Sequence, residues 1–515
     1  MPQRALTRFA RAAQERNERL FYAVLCAYPD ELKPIIYAPT VGQACQKYGL
    51  LFRRPRGLFI SMADRGRVYQ LLKNWPEKQV RLLCLTDGER VLGLGDLGIQ
   101  GMGIAASKVV CYTAFGGVDP ASALPVTIDA GTDNEALLDD PFYIGLRHKR
   151  VRGEPYDELI DEFIQAAKRR WGTDVLFQFE DFGNANGARL LNSYRAEVCA
   201  FNDDIQGTAA AMLGGILAAL PKLRPGGLGA QTFLFAGAGE TGAGMADLLA
   251  AAISKATRAP LTEARRAIWM FDSKGLVTRA RAEHLEDHKF PWAHTAPEGA
   301  GPCTTLLDAV RAVKPSCLIG VRRYDFSYQQ DSCLAGRVGG AGLFTSDVLQ
   351  AMAAHNPAPI HPLVFALSRP VGNSECTAAE AYAATEGRVV YASGCLQPSV
   401  TLPDGRLMAP LNSTSCYIFP GVALGAMMCG AKHIRDDALI AAAEALAGQV
   451  SEEDKARGSV YPSFHNIRDV SAHVARAVAA AVYDAGLAGA GARPRDLLKT
   501  AREWQWEPSY RVYGH

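Results

Sequence analysis

Apolar residues recur at helical spacing through residues 1 to about 55, where the run LFYAVL follows a polar start. The segment YAPTVG, Tyr37 to Gly42, breaks that pattern before another amphipathic turn. A strand-like run, GLFISM, then opens a region of alternating apolar strands and helices. Strands are expected at Val80 to Thr86, Val126 to Asp129, Val175 to Phe179 and Val198 to Asn202. Strands separated by helical stretches are the signature of an α/β fold with a parallel sheet. From Asp203 an Ala- and Leu-rich helix leads to the loop LRPGGLGA and a new strand, QTFLFAG. Further strands fit AIWMFDSKG, Ser316 to Gly320, Leu363 to Leu367 and Val389 to Ala392. The Gly-Ala-rich residues 485 to 493 read as a short linker before a basic, aromatic tail.

At 515 residues the chain is too long for one core, which implies two or three domains. With 55 basic and 53 acidic residues the net charge is +2, so no global field draws it to nucleic acid, and a small-molecule partner is expected instead. No run is apolar enough to span a bilayer, since even Thr208 to Leu220 is interrupted by glycine. The twelve cysteines form no CxxC pair, and Cys84, Cys111 and Cys317 sit inside apolar runs, as buried thiols of a reducing compartment do. Cytoplasm or mitochondrial matrix fits that reading. Arg4, Arg8 and Arg11 precede the first acid, Glu15, in the manner of a transit peptide, but the segment also reads as a surface helix, which is the reading adopted.

Three features carry candidate chemistry. Two acidic pairs, Glu180-Asp181 and Asp203-Asp204, each close a strand-like run. Carboxylates at such strand ends can converge on one hard cation, and three of their oxygens with waters and a chelating substrate suit octahedral Mg²⁺ or Mn²⁺. Acids that cap helices and sit in water give the same pattern. Gly237, Gly239 and Gly242 fit GxGxxG between a strand and a helix, and Asp272 closes the next strand, where an acid can receive the adenosine ribose hydroxyls. Asp272 follows Gly237 by 35 residues (272 − 237), beyond the nominal spacing of about 20. The glycine-rich stretch 85 to 117 carries Arg90, able to fork onto a substrate carboxylate, and Lys108, which neighbouring cations in a shielded pocket would turn into a base.

Across nearly its whole length the chain resembles the malic enzyme family through TDGERVLGLGDLG, YIGLRHKRVRG, FEDFGNANGARLL, FNDDIQGTA, FAGAGETGAG, FDSKGL, FPGVALGA and the stretch around Tyr461. The resemblance implies metal-dependent oxidative decarboxylation of L-malate to pyruvate and CO₂ with NAD⁺ or NADP⁺. Tyr37 then matches the general acid and Lys108 the base, with Asp203 as its carboxylate neighbour. Arg90 matches a substrate ligand, while Glu180, Asp181 and Asp204 match the metal ligands. Gly237, Gly239, Glu240 and Gly242 fall in the dinucleotide loop. Ser273, Lys274 and Lys289 resemble the NADP⁺-using branch, so NADP⁺ is favoured over NAD⁺. The implied organisation is an N-terminal helical segment over 1–55 and a parallel-sheet substrate and metal domain over 56–202, completed by 415–487. A Rossmann-type domain over 203–414 and a C-terminal tail over 488–515 make up the rest. A homodimer or homotetramer is expected, with neither nucleic acid nor membrane as partner.

Several positions depart from the family pattern. The usual ALSNP reads ALSRP, which puts Arg369 at a substrate-facing Asn, and GNNSY reads STSCY, which puts Ser415 at another. Arginine is charged and only donates, so it cannot reproduce an amide. The loop after SCLIG holds Arg322 and Arg323 in place of glycine, and SGSPF reads SGCLQ at Ser393 to Gln397. Two alternatives therefore stand beside malate turnover: a relative acting on another 2-hydroxy acid with Arg369 as an added carboxylate clamp, and a non-catalytic homologue serving as an assembly partner.

Overall fold

The structure is a computed structural model that describes residues 12–51, 56–299, 301, 303–321, 342–369 and 371–510. The chain divides into two compact units. Unit 1 comprises Met1–Asp204, Cys416–Ala442 and Phe464–His515, and unit 2 comprises Ile205–Ser415 and Ala443–Ser463. Arg4, Arg8, Arg11, Arg322 and Arg323 lie outside the described residues.

Unit 1 begins with helices α1 (Glu18–Ala27), α2 (Pro29–Ile36) and α3 (Thr40–Cys45). The Asn17 side chain accepts from the Leu20 N–H and starts α1, while proline at its first position starts α2. The five-stranded sheet contains β1 (Leu58–Ser61), β2 (Leu82–Thr86), β3 (Ala123–Asp129), β4 (Leu176–Phe179) and β5 (Ala200–Asn202) in the order β1-β3-β2-β4-β5. Every pairing is parallel. Helices cover both faces of such a sheet, so β2, β3 and β4 are buried at every position and read as unbroken apolar runs. Strand β3 starts three residues before its expected Val126. Pro125 hides that start, and it is tolerated in a central strand because pairing with β1 begins only at Val126. Between β2 and β3 runs α4 (Met102–Gly116), buried along its whole length, and α5 (Glu154–Trp171) precedes β4.

Unit 2 opens on α6 (Thr208–Ala219), which follows a π turn at Asp203–Gly207. Its sheet contains β6 (Phe233–Ala236), β7 (Ile268–Asp272), β8 (Gly275–Leu276), β9 (Cys317–Gly320), β10 (Leu363–Ala366) and β11 (Val390–Ser393) in the order β11-β10-β9-β6-β7-β8. All pairings are parallel except β7 with β8. The chain runs from β6 outward to β7 and later resumes on the other side with β9. The carboxyl end of β6 is thus a topological switch point, where open α/β sheets hold ligands. Helix α7 (Glu240–Thr257) leaves that point, and α8 (Leu306–Val313), α9 (Ser346–His355) and α10 (Ala378–Ala384) follow.

The chain returns to unit 1 with α11 (Phe419–Cys429) and α12 (Ile467–Asp484). The segment expected to be a linker instead folds back on unit 1: the Gly489 N–H donates to the Cys429 and Gly430 carbonyls at 3.1 and 2.9 Å. Helix α13 (Leu497–Trp504) follows, and the Trp506 ring stands edge-on to Tyr22 at 5.6 Å. A glycine-rich stretch permits that tight backbone contact as readily as it permits looseness. Among the described residues no helix is long and apolar enough to cross a membrane.

Candidate active site

Glu180 and Asp181 follow β4, and Asp204 lies just beyond β5, so neighbouring parallel strands deliver the three carboxylates to one edge of the sheet. One oxygen from each lies within 4.8 Å of the others, with Glu180 and Asp181 buried and Asp204 half-buried. Asp181 takes φ +51, and its backbone is fixed from both sides. Its N–H donates to Asp204 Oδ2 at 2.8 Å, its carbonyl accepts the Arg90 N–H at 3.2 Å, and its Oδ2 accepts the Leu92 N–H at 3.0 Å. Burial and the Asp204 and Asp181 carboxylates hold Glu180 well above the usual carboxylate range, against the pull of Lys108. Like charges crowded together at low exposure fit a divalent cation among them. An all-oxygen donor set matches Mg²⁺ or Mn²⁺ better than zinc.

Lys108 stands on α4, not on the glycine-rich loop that the sequence suggests, and is 1% exposed. Its ammonium contacts Asp203 directly and lies 3.2 Å from Glu180 Oε2. The expected depression by neighbouring cations is overturned. Burial alone would lower Lys108, but its neighbours are Asp203 and Glu180, which hold it well above its ordinary value. The Phe419 ring lies 4.2 Å from the ammonium and the Tyr37 ring 5.3 Å. Tyr37 ends α2 and is 6% exposed; burial raises its hydroxyl well above the ordinary value, so it keeps its proton. Lys108, Tyr37 and the acidic cluster thus come together within unit 1.

Arg90 is half-buried, and its backbone is tied to Asp181 through the hydrogen bond already described. The loop carrying it is braced from YIGLRHKRVRG. Arg150 donates to both oxygens of Asp96 at 2.7 Å, and Arg152 donates to Glu89 at 2.7 Å. Those two arginines explain why separate stretches of the sequence are needed for one loop.

In unit 2 the glycine loop lies tight between β6 and α7. Gly237 takes φ +133, and a Cβ there would meet the Val321 carbonyl at 1.9 Å; a Cβ on Gly242 would meet the Gly237 carbonyl at 2.4 Å. Only glycine lets α7 approach β6 so closely. Gly239 caps α7 with nothing within 4 Å of its Cβ position, and Glu240 is the first helical residue. A helix start with open space before it suits an anionic ligand.

The structure gives Asp272 partners other than those the sequence suggested. One Arg281 nitrogen donates to both its oxygens at 2.8 and 2.9 Å, the Lys274 N–H donates at 2.8 Å, and Lys289 Nζ lies 3.4 Å away. Ser273 is exposed beside this cluster. Arg281, nine residues beyond Asp272 in RARAEH, has no motif that marks it in the sequence.

Three of the departures meet elsewhere in unit 2. Arg369 donates to the Ser413 carbonyl at 2.8 Å, and its Nε lies 3.2 Å from the Cβ position of Gly394 in the altered SGCLQ segment. The Ser413 N–H donates to the Ser393 carbonyl at 2.7 Å, and Tyr461 donates to Ser413 Oγ at 2.9 Å. Ser415, two residues on, is 9% exposed.

The chain matches two family models, one described as "Malic enzyme, N-terminal domain" over residues 14–195 and one as "Malic enzyme, NAD binding domain" over residues 205–483. It is 51% identical to an "NADP-dependent malic enzyme" of Phaseolus vulgaris over 500 residues, covering 97% of this chain and 81% of that protein. It is 48% identical to an "NADP-dependent malic enzyme, chloroplastic" of Oryza sativa subsp. japonica, covering 97% and 74%. Among solved structures, the malic enzyme of Entamoeba histolytica superposes with a TM-score of 0.59 at 21% identity, covering 92% of this chain and 80% of that one. That of Pyrococcus horikoshii superposes with a TM-score of 0.58 at 23% identity, covering 92% and 89%. At such identities the structural likeness concerns the fold.

Proposed function

The chain belongs to the malic enzyme family, and from that premise we propose that it converts L-malate to pyruvate and CO₂ while reducing NADP⁺, with Mg²⁺ or Mn²⁺ bound by Glu180, Asp181 and Asp204. The observation that carries this reading is the convergence of those three carboxylates beside the Lys108–Asp203 pair. When bound, the cation would supply a Lewis acid for the oxygen on carbon 2 of malate, and the dinucleotide would supply the hydride acceptor. Arg90 would hold a malate carboxylate as a two-pronged donor. Lys108, an ammonium beside Asp203, would take the hydroxyl proton once its own has passed to that carboxylate. After CO₂ departs, Tyr37 would supply the proton to carbon 3 of the enolate, a role that suits a hydroxyl kept protonated by burial.

NADP⁺ is preferred over NAD⁺ in this reading. Asp272 would repel a 2′-phosphate if its charge stood alone, but Arg281 and Lys289 both lie on it. Lys289 would then face the phosphate, with Ser273 donating beside it. Relatives at about half identity are named NADP-dependent, which points the same way. Several of those names also carry the word chloroplastic, so a plastid joins the cytoplasm and mitochondrial matrix as a candidate compartment. A homodimer or homotetramer is the assembly proposed.

Purified protein supplied with Mn²⁺, L-malate and NADP⁺ tests the reading. NADPH should accumulate, stop on chelation of the metal and resume when Mn²⁺ is restored. No NADPH from NADP⁺ and no NADH from NAD⁺ would overturn it. Arg369 favours a second reading, turnover of a different 2-hydroxy acid with a further carboxylate. Under that reading Arg369→Asn raises malate turnover at the expense of the alternative acid, and unchanged selectivity removes it.

A further inference from the structure

Gln178 is fully buried on β4, two residues before the first acid of the cluster, and all the hydrogen-bonding capacity of its amide is used. Its Nε2 donates to Glu180 Oε2 at 2.7 Å and to the Phe179 carbonyl at 2.8 Å. Its Oε1 accepts from Tyr112 at 3.2 Å and from the Cys84 thiol at 3.1 Å. The orientation of the amide follows from chemistry, because a carboxylate and a carbonyl can only accept.

Glu180 Oε2 therefore accepts a hydrogen bond from the Gln178 amide and forms an ion pair with the Lys108 ammonium at 3.2 Å. The same residues close a ring through aromatic contacts. Tyr112 stacks edge-on against Phe419 at 4.8 Å, and Phe419 in turn lies 4.2 Å from the Lys108 ammonium. One side of Glu180 is fixed by a strand neighbour, the other by α4.

We propose that Gln178 is a positioning residue that locks Glu180 Oε2 toward Lys108, so that Oε1 is the atom presented to the divalent cation. The inference rests on the metal-site reading above and deepens it. A carboxylate free to rotate would offer either oxygen and would have to give up that freedom each time the cation bound. Partners that orient a ligating group from outside the coordination shell typically raise metal affinity about 10- to 100-fold.

The test is Mn²⁺ binding to the whole protein followed by electron paramagnetic resonance, without substrate or dinucleotide, beside steady-state kinetics in varied Mn²⁺. Gln178→Met keeps length and volume but removes the amide; its Mn²⁺ Kd should rise by about 10-fold or more, with the KM for Mn²⁺ rising further than kcat falls. Tyr112→Phe keeps the ring on Phe419 and removes only the donor to Gln178, so its Kd should rise by a smaller factor with native thermal unfolding. If Gln178→Met does not fold, Tyr112→Phe decides alone. Wild-type binding with an unchanged Kd in the folded variants overturns the role of Gln178 and leaves the metal site standing. If the wild-type protein itself binds no Mn²⁺, the metal-site reading falls and takes this inference with it.

Discussion

Arg281 grips both oxygens of Asp272 from one nitrogen, at 2.8 and 2.9 Å, and Lys289 approaches the same carboxylate at 3.4 Å. A carboxylate engaged in this way is a poor acceptor for ribose hydroxyls. The neighbouring cations offset its charge where a 2′-phosphate would otherwise be repelled. A charge-assisted hydrogen bond contributes roughly 1.5–3 kcal/mol, so Lys289→Ala should raise the KM for NADP⁺ by about 10- to 100-fold. The KM for NAD⁺ should barely move. Initial rates with each dinucleotide check this, and equal losses with both would remove Lys289 from phosphate recognition.

Tyr37→Phe removes one hydroxyl from a buried ring that packs 5.3 Å from the Lys108 ammonium and leaves the packing in place. A general acid is worth about 10²- to 10⁴-fold, so kcat should fall within that range while the thermal midpoint stays near the wild-type value. A variant with wild-type kcat would show that the proton comes from elsewhere.

Lys108→Met combines loss of catalysis with a local electrostatic cost. It leaves Asp203 and Glu180 buried without the ammonium that contacts both. Breaking a buried ion pair typically costs about 3–5 kcal/mol. Turnover should vanish and the metal-free protein should melt earlier than wild type. Mn²⁺, which neutralises part of the same cluster, should stabilise the variant more than it stabilises wild type. Paired melting curves with and without Mn²⁺ measure this, and an equal metal-induced shift would contradict it.

Chelation probes the acidic cluster without mutation. A ligand that binds only the folded state at 100 times its Kd adds about 2.7 kcal/mol of stability. Removing the metal should therefore lower the midpoint of unfolding, and Asp204→Asn should abolish the difference between chelated and Mn²⁺-loaded samples. If Asp204→Asn still responds like wild type, the cation binds elsewhere.

Most parallel strands of the two sheets were legible because a strand buried on both faces is a largely apolar run, as in LLCLT or FLFA, whereas the two-residue antiparallel β8 was not read. The acidic pairs were legible for the same reason, since each stands where such a run stops. Lys108 was harder. Its helix, GIAASKVVCYTAFG, is buried on every side, so no amphipathic period distinguishes it from a glycine-rich loop. Its Asp203 neighbour, 95 residues away in sequence, came from the family resemblance and from no local pattern, and the sign of the Lys108 shift depends on that contact. Arg281 and the Ser413 anchor of Arg369 escaped for a related reason: each acts through a contact that no local pattern encodes.

The account turns on whether the acidic cluster, Lys108 and Tyr37 act on malate together, and product balance measures that most directly. With Mn²⁺, L-malate and NADP⁺, the protein should yield NADPH, pyruvate and CO₂ in equal amounts. Reduced dinucleotide accompanied by oxaloacetate and no CO₂, or no product at all, would contradict it.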